Sequence, residues 1–127
     1  MDPGAGEIGV LVAEDNRDLR EVVCALVAAE PDMHVAGTAS RVAELMDAVR
    51  TQPAHVLVLD LDLDGESSVP ALQVLRAQHP RLAVVIFSGS DRNALAPVFA
   101  RIGRCEYVMK TGDPTPLLDA IRRSAQT

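Results

Sequence analysis

Four apolar residues in a row, Val56-Leu57-Val58-Leu59, run straight into Asp60-Leu61-Asp62-Leu63-Asp64-Gly65. A strand with one face in water alternates apolar and polar residues; this run does not, so both of its faces must be covered. That is the signature of a central strand in a parallel sheet with helices on each side. The pattern recurs along the chain, strand signals alternating with helix signals five times. Residues 8–13 are predicted as the first strand. Residues 17–29 follow as a helix, with Leu19, Val22, Val23, Leu26 and Val27 on one face, Asn16 as cap and Pro31 as stop. Residues 33–36 form a short second strand. Ser40 caps a helix whose inner face is Val42, Leu45, Met46 and Val49, and Pro53 lies beyond its end.

The third strand spans residues 55–59. Ser67 or Ser68 caps the next helix, which carries Pro70 in its first turn and turns Leu72 and Leu75 inward. Residues 82–87 are the fourth strand. Asp91 and Gly103 bound a fourth helical segment, residues 105–109 are the fifth strand, and residues 114–124 form the last helix with Leu117, Leu118 and Ile121 inward. Pro97 falls inside the fourth segment, where an interior proline loses a backbone bond and costs about 3 kcal/mol. The chain escapes that cost if the helix starts late, with Pro97 in its first turn and residues 90–96 as a loop.

Five βα units joined by short connections imply an α/β fold: a five-stranded parallel sheet with right-handed crossovers and helices on both faces. A flavodoxin-like strand order, 2-1-3-4-5, places strands one and three side by side at the switch point, where open α/β sheets hold their chemistry. With aromatics at 2% and no Trp, the core must be Val, Leu, Ile and Ala. At 127 residues the chain is one domain, residues 8–127, preceded by an acidic, Gly-rich flexible tail at residues 1–7.

Glu14-Asp15 closes the first strand, Asp60 the third, Ser88 the fourth and Lys110 the fifth. Carboxylates gathered in one crevice repel each other unless a cation intervenes, and Mg²⁺ suits a few carboxylates with water and phosphate oxygens. Asp60, at the centre, can attack an activated phosphorus to form an acyl phosphate. Lys110 can neutralise the phosphoryl oxygens, and Ser88 can donate its hydroxyl to one of them.

On these residues, with Ser88-Gly89, Tyr107-Val108-Met109-Lys110 and the tail from Pro114 to Arg122, residues 8–124 resemble a bacterial two-component response-regulator receiver domain of the LuxR/NarL type, with its CheY-like fold. The resemblance implies that Asp60 accepts phosphate from a sensor histidine kinase. It implies Mg²⁺ on Asp15, Asp60 and the backbone carbonyl of Asp62, with Glu14 acting through a water. Ser88 and Tyr107 would be a switch pair. Output would be transcription, through a C-terminal DNA-binding domain outside this segment. Such a domain is no enzyme beyond its own phosphorylation and dephosphorylation. The sequence departs from the family where Leu63-Asp64 replace a frequent Met-Pro, where Thr111 follows the lysine, and at Pro97. The fourth helix belongs to the usual signalling and dimerisation face. A short or kinked one should couple phosphorylation only weakly to homodimer formation.

Two other readings stay open. A degenerate receiver would keep the fold as a protein-interaction module without phosphorylation. Asp60-Leu-Asp62-Leu-Asp64-Gly65 also resembles the opening motif of haloacid-dehalogenase-type phosphatases, but that family carries it on the first strand, with its acid pair near the end. A net charge of −6 argues against direct DNA contact by this segment. The absence of a long apolar stretch or signal peptide predicts a cytoplasmic protein without membrane association. Cys24 and Cys105 fit no metal or redox spacing and are expected as buried reduced thiols.

Overall fold

The computed structural model describes residues 7–91, 93–103 and 105–126. Its elements are β1 (Ile8–Ala13), α1 (Arg17–Ala28), β2 (Met33–Ala39), α2 (Val42–Thr51), β3 (Val56–Leu59), β4 (Asp62–Leu63), β5 (Glu66–Ser67), α3 (Val69–Gln78), β6 (Ala83–Ser88), α4 (Ala96–Ile102), β7 (Glu106–Met109) and α5 (Thr115–Ala125). Five parallel strands make one sheet in the order β2-β1-β3-β6-β7. Leaving out the small hairpin β4-β5, this is the order 2-1-3-4-5.

Alternate residues of each strand feed separate cores. Leu11, Leu57, Leu59, Val84 and Ile86 pack with Leu45 of α2, Leu72 and Leu75 of α3 and Ile102 of α4. Val10, Val12, Val56, Val58 and Val85 pack on the other face with Val23 and Val27 of α1 and Leu117 and Ile121 of α5. All four residues of β3 are buried, which is why that run shows no alternation.

Several local expectations are corrected. β2 continues to Ala39, beyond an irregularity that leaves Ala36 unpaired between Val35 and Gly37. Its weak second half is held by pairing to Leu11–Ala13. A Cβ on Gly37 would sit 3.0 Å from Leu11 Cδ1, so glycine permits that close approach. The N-cap of α2 is Arg41, not Ser40. Ser40 acts one residue earlier, its N–H and hydroxyl both donating to Glu44 Oε1 at 2.8 and 2.6 Å. Those bonds hold the Glu44 carboxyl below its ordinary pKa. Val22 is 53% exposed, because the apolar stripe of α1 is wider than the face that meets the sheet. Cys24 and Cys105 are half-buried, and Cys105 precedes β7 rather than beginning it.

Pro97 behaves as its chemistry demands. α4 begins at Ala96, with Pro97 in its first turn, and spans seven residues. The tail expected at residues 1–7 lies outside the described residues except for Glu7, whose Oε1 is 3.3 Å from His34 Nδ1.

The β4-β5 hairpin was not expected. Its two-residue turn has positive φ at both central positions, Asp64 at 55° and Gly65 at 80°. That is the type I′ pattern for which Asp-Gly is a favoured pair. The Asp64-Gly65 pair carries that signal in the sequence.

Candidate phosphoacceptor and metal site

β1 and β3 lie side by side, so the residues just past their ends share one crevice. Glu14, Asp15 and Asp60 each offer a carboxylate oxygen there, all within 4.8 Å of one another. Glu14 is 2% exposed, Asp60 half-buried and Asp15 exposed. β7 brings Lys110 to the same point. Its Nζ lies 2.6 Å from Asp60 Oδ2 and 2.7 Å from Glu14 Oε1. It also stands 5.6 Å from the centre of the Phe87 ring.

The electrostatics follow from this packing. Burial raises the Glu14 pKa above the ordinary value, against the pull of Lys110 and of the Asn16 N–H on Oε2 at 3.0 Å. Glu14 Oε1 is buried without a well-aligned hydrogen bond, so its compensation is the charge of Lys110. Asp15 is held below its ordinary pKa, first by the Asp64 N–H, which donates to Oδ2 at 2.9 Å. Burial works to lower the Lys110 pKa, but Asp60 and then Glu14 outweigh it, and the net shift is upward.

The expected residues do not all meet. Ser88 is buried at the end of β6, and its hydroxyl oxygen accepts the Ser90 N–H at 3.1 Å. Tyr107 donates its hydroxyl to the Ser90 carbonyl and packs edge-on against Phe99 of α4, ring centres 6.0 Å apart. Ser88 and Tyr107 therefore both touch Ser90. The Asp62 side chain is not in the acid cluster; its Oδ1 accepts the Gly65 N–H at 3.0 Å, while its N–H donates to Asp60 Oδ1 at 3.1 Å.

Sequence reasoning missed three contributors. Arg20 donates to the Glu14 carbonyl at 2.8 Å. The Asp64 N–H engages Asp15. Ser68 donates to the Asp60 carbonyl at 2.8 Å. Each acts on or through the main chain, which residue type does not announce.

Three acids of hard oxygen donors, one buried and short of hydrogen-bond partners, fit a divalent cation. A parallel sheet carrying that acid cluster with a lysine at the end of β7 is the architecture of receiver domains. Residues 10–122 match the family described as the response regulator receiver domain. The chain belongs to that family and is of the NarL type.

It is 32% identical over 126 residues to the nitrate/nitrite response regulator protein NarP of Escherichia coli, covering 98% of this chain and 58% of that protein. It is 31% identical over 121 residues to the transcriptional regulatory protein LiaR of Bacillus subtilis, covering 94% and 56%. The chain thus spans little more than half the length of these relatives. A LuxR-family two-component response regulator from Aurantimonas sp. superposes with a TM-score of 0.85 at 24% identity, covering 94% of this chain and 86% of that one. The receiver domain of the putative response regulator NarL from Mycobacterium tuberculosis has the same fold, with a TM-score of 0.85 at 20% identity over 94% and 97% of the chains.

Proposed function

We propose that this receiver domain takes a phosphoryl group onto Asp60 from a sensor histidine kinase and passes the change to a transcriptional output. The observation that carries the reading is Lys110 Nζ, 2.6 Å from Asp60 Oδ2 and beside two further acids. One Asp60 carboxylate oxygen forms the new O–P bond. The N–P bond of the donor phosphohistidine breaks, and its electron pair and a proton end on the imidazole. Lys110 stands where it can follow the charge from the Asp60 carboxylate to the phosphoryl oxygens.

Asp15 and Asp60, with the carbonyl of Asp62, are the proposed Mg²⁺ ligands, and Glu14 would act through a water. Bound Mg²⁺ supplies charge neutralisation at the phosphoryl oxygens. Ser88 donates its hydroxyl to the phosphoryl group. Tyr107 is the second member of the switch, leaving its present bond to the Ser90 carbonyl as the loop after β6 rearranges.

NarP and LiaR are named as regulators and are nearly twice as long as the part of them matched here. That, with LiaR named as a transcriptional regulatory protein, supports a transcriptional output domain beyond this segment, and membership of the receiver family supports a cytoplasmic setting. No described helix is long and apolar enough to cross a membrane. A homodimer formed on the α4 face is expected to respond weakly to phosphorylation, because α4 is short. The degenerate-receiver reading is less favoured, since acids and lysine are all in contact.

The test is phosphate-affinity electrophoresis after incubation with acetyl phosphate and Mg²⁺. Wild type should shift, and Asp60→Asn should not. Stoichiometric phosphate uptake by Asp60→Asn would overturn the assignment.

A further inference from the structure

Ser68 has no solvent-exposed surface, yet it is polar and stands outside the acid cluster. It is the N-cap residue of α3, but its hydroxyl does not cap the helix. The hydroxyl instead donates to the backbone carbonyl of Asp60 at 2.8 Å, and the Ser68 N–H donates to the carbonyl of Leu61 at 2.9 Å. Its own carbonyl receives the Leu72 N–H at 2.9 Å, the first bond of α3. One buried residue thus bolts α3 to the main chain of the acid at the heart of the site.

Between the two ends of this clasp the chain folds back as the β4-β5 hairpin, Asp62 paired with Ser67 and Leu63 with Glu66. Leu63 is buried in the core, and Asp64 reaches across to Asp15 through its N–H at 2.9 Å. The segment from Asp60 to Ser68 is therefore a closed loop. The clasp fixes the backbone from which the Asp60 carboxylate projects.

We infer that Ser68 is a positioning residue for the phosphoacceptor, holding the Asp60 main chain so that its carboxylate stays in line for attack beside Lys110. This rests on the reading of Asp60 as phosphoacceptor. The role is not catalytic contact, since Ser68 acts only through the backbone. A misplacement of about 1 Å can cost two orders of magnitude in rate, so loss of the clasp has a kinetic signature beyond lost stability.

The experiment compares the full chain with Ser68→Ala, Ser68→Thr and Val27→Ala, the last destabilising α1 away from the site. The rate constant for phosphorylation by acetyl phosphate is measured at saturating Mg²⁺, and amide exchange of residues 61–67 is measured without metal. Ser68→Ala should phosphorylate about tenfold more slowly than wild type and exchange these amides faster, with wild-type behaviour restored by Ser68→Thr. Val27→Ala should melt earlier but keep the wild-type rate constant. Should the extra methyl of Ser68→Thr not fit the buried site, the rate of Ser68→Ala against that of Val27→Ala decides the matter. Phosphorylation of Ser68→Ala within about twofold of wild type, or an equal slowing in Val27→Ala, overturns the positioning role and leaves Asp60 as phosphoacceptor untouched. If wild type takes up no phosphate at all, the phosphoacceptor reading falls and the inference with it.

Discussion

Replacing Lys110 with Met removes one positive charge from between two carboxylates and keeps most of the aliphatic stem. The ammonium lies 2.6 Å from Asp60 and 2.7 Å from Glu14, and the three side chains are only 23%, 14% and 3% exposed. Stripping one partner from a fully buried pair costs about 3–5 kcal/mol. The residual exposure of Lys110 and Asp60 lets water screen part of this, so about 2–3 kcal/mol is expected at neutral pH without metal. For a domain of this size that lowers Tm by about 8–12 °C.

The loss has a definite pH dependence. Burial already raises the Glu14 pKa above the ordinary 4.5, and Lys110 opposes that rise. Without the lysine the folded-state pKa rises further. A folded state with the higher pKa binds the proton more tightly, so the variant regains stability as pH falls through that value toward 4.5. The deficit is therefore full at neutral pH and shrinks in mild acid. The assay is thermal and urea unfolding with chelator for wild type, Lys110→Met, Glu14→Gln and the double variant. Because Glu14 is the acid left stranded, the double variant should recover about 2 kcal/mol relative to additivity. A coupling energy below about 0.5 kcal/mol would refute the argument that Lys110 compensates the buried Glu14.

Other perturbations test the loop, the fourth helix and the far end of the sheet. Gly65→Ala places a Cβ where no atom lies within 4 Å, so its cost is the φ of 80° alone. It should lower stability by about 1 kcal/mol in urea unfolding and accelerate exchange of the hairpin amides; no change in either would contradict the type I′ turn. Pro97→Ala should change stability by less than about 1 kcal/mol, because Pro97 sits in the first turn of α4; a gain near 3 kcal/mol would mean that the proline had been interrupting a helix. Arg122 bonds Asp32 at 2.8 and 3.0 Å, which holds the Asp32 carboxyl below its ordinary 3.8. A lowered folded pKa stabilises above 3.8 and is lost as pH falls through the depressed value, so Arg122→Ala should flatten the acid side of the stability–pH curve; an unchanged acid limb would count against the pair.

The five strands of the parallel sheet and their order of appearance were open to reading because the information is local. Val56–Leu59 has no polar residue to offer to water, and β3 is buried throughout. Pro97 likewise announced the late start of α4, since its ring and missing N–H act within one turn. The acids at the ends of β1 and β3 could be placed together once the sheet order was inferred. The βα alternation and the handedness of the crossovers imply a parallel sheet, and 2-1-3-4-5 is one of the common orders compatible with them; the structure selects it.

What only the tertiary structure decided are contacts between groups whose types carry no address. Lys110 touches Asp60 across a separation of 50 residues, and nothing in either neighbourhood sets their distance. Ser68 looks like any serine before a helix, and its hydroxyl could as well have capped α3 as bonded Asp60. The hairpin after β3 turns Asp64 toward Asp15, 49 residues earlier, by a backbone N–H that every residue but proline possesses. Apolar periodicity fixes which faces are buried because the hydrophobic effect scales with area and needs no particular partner. Hydrogen bonds and ion pairs need a distance and an angle, and those exist only after the sheet has brought distant segments together.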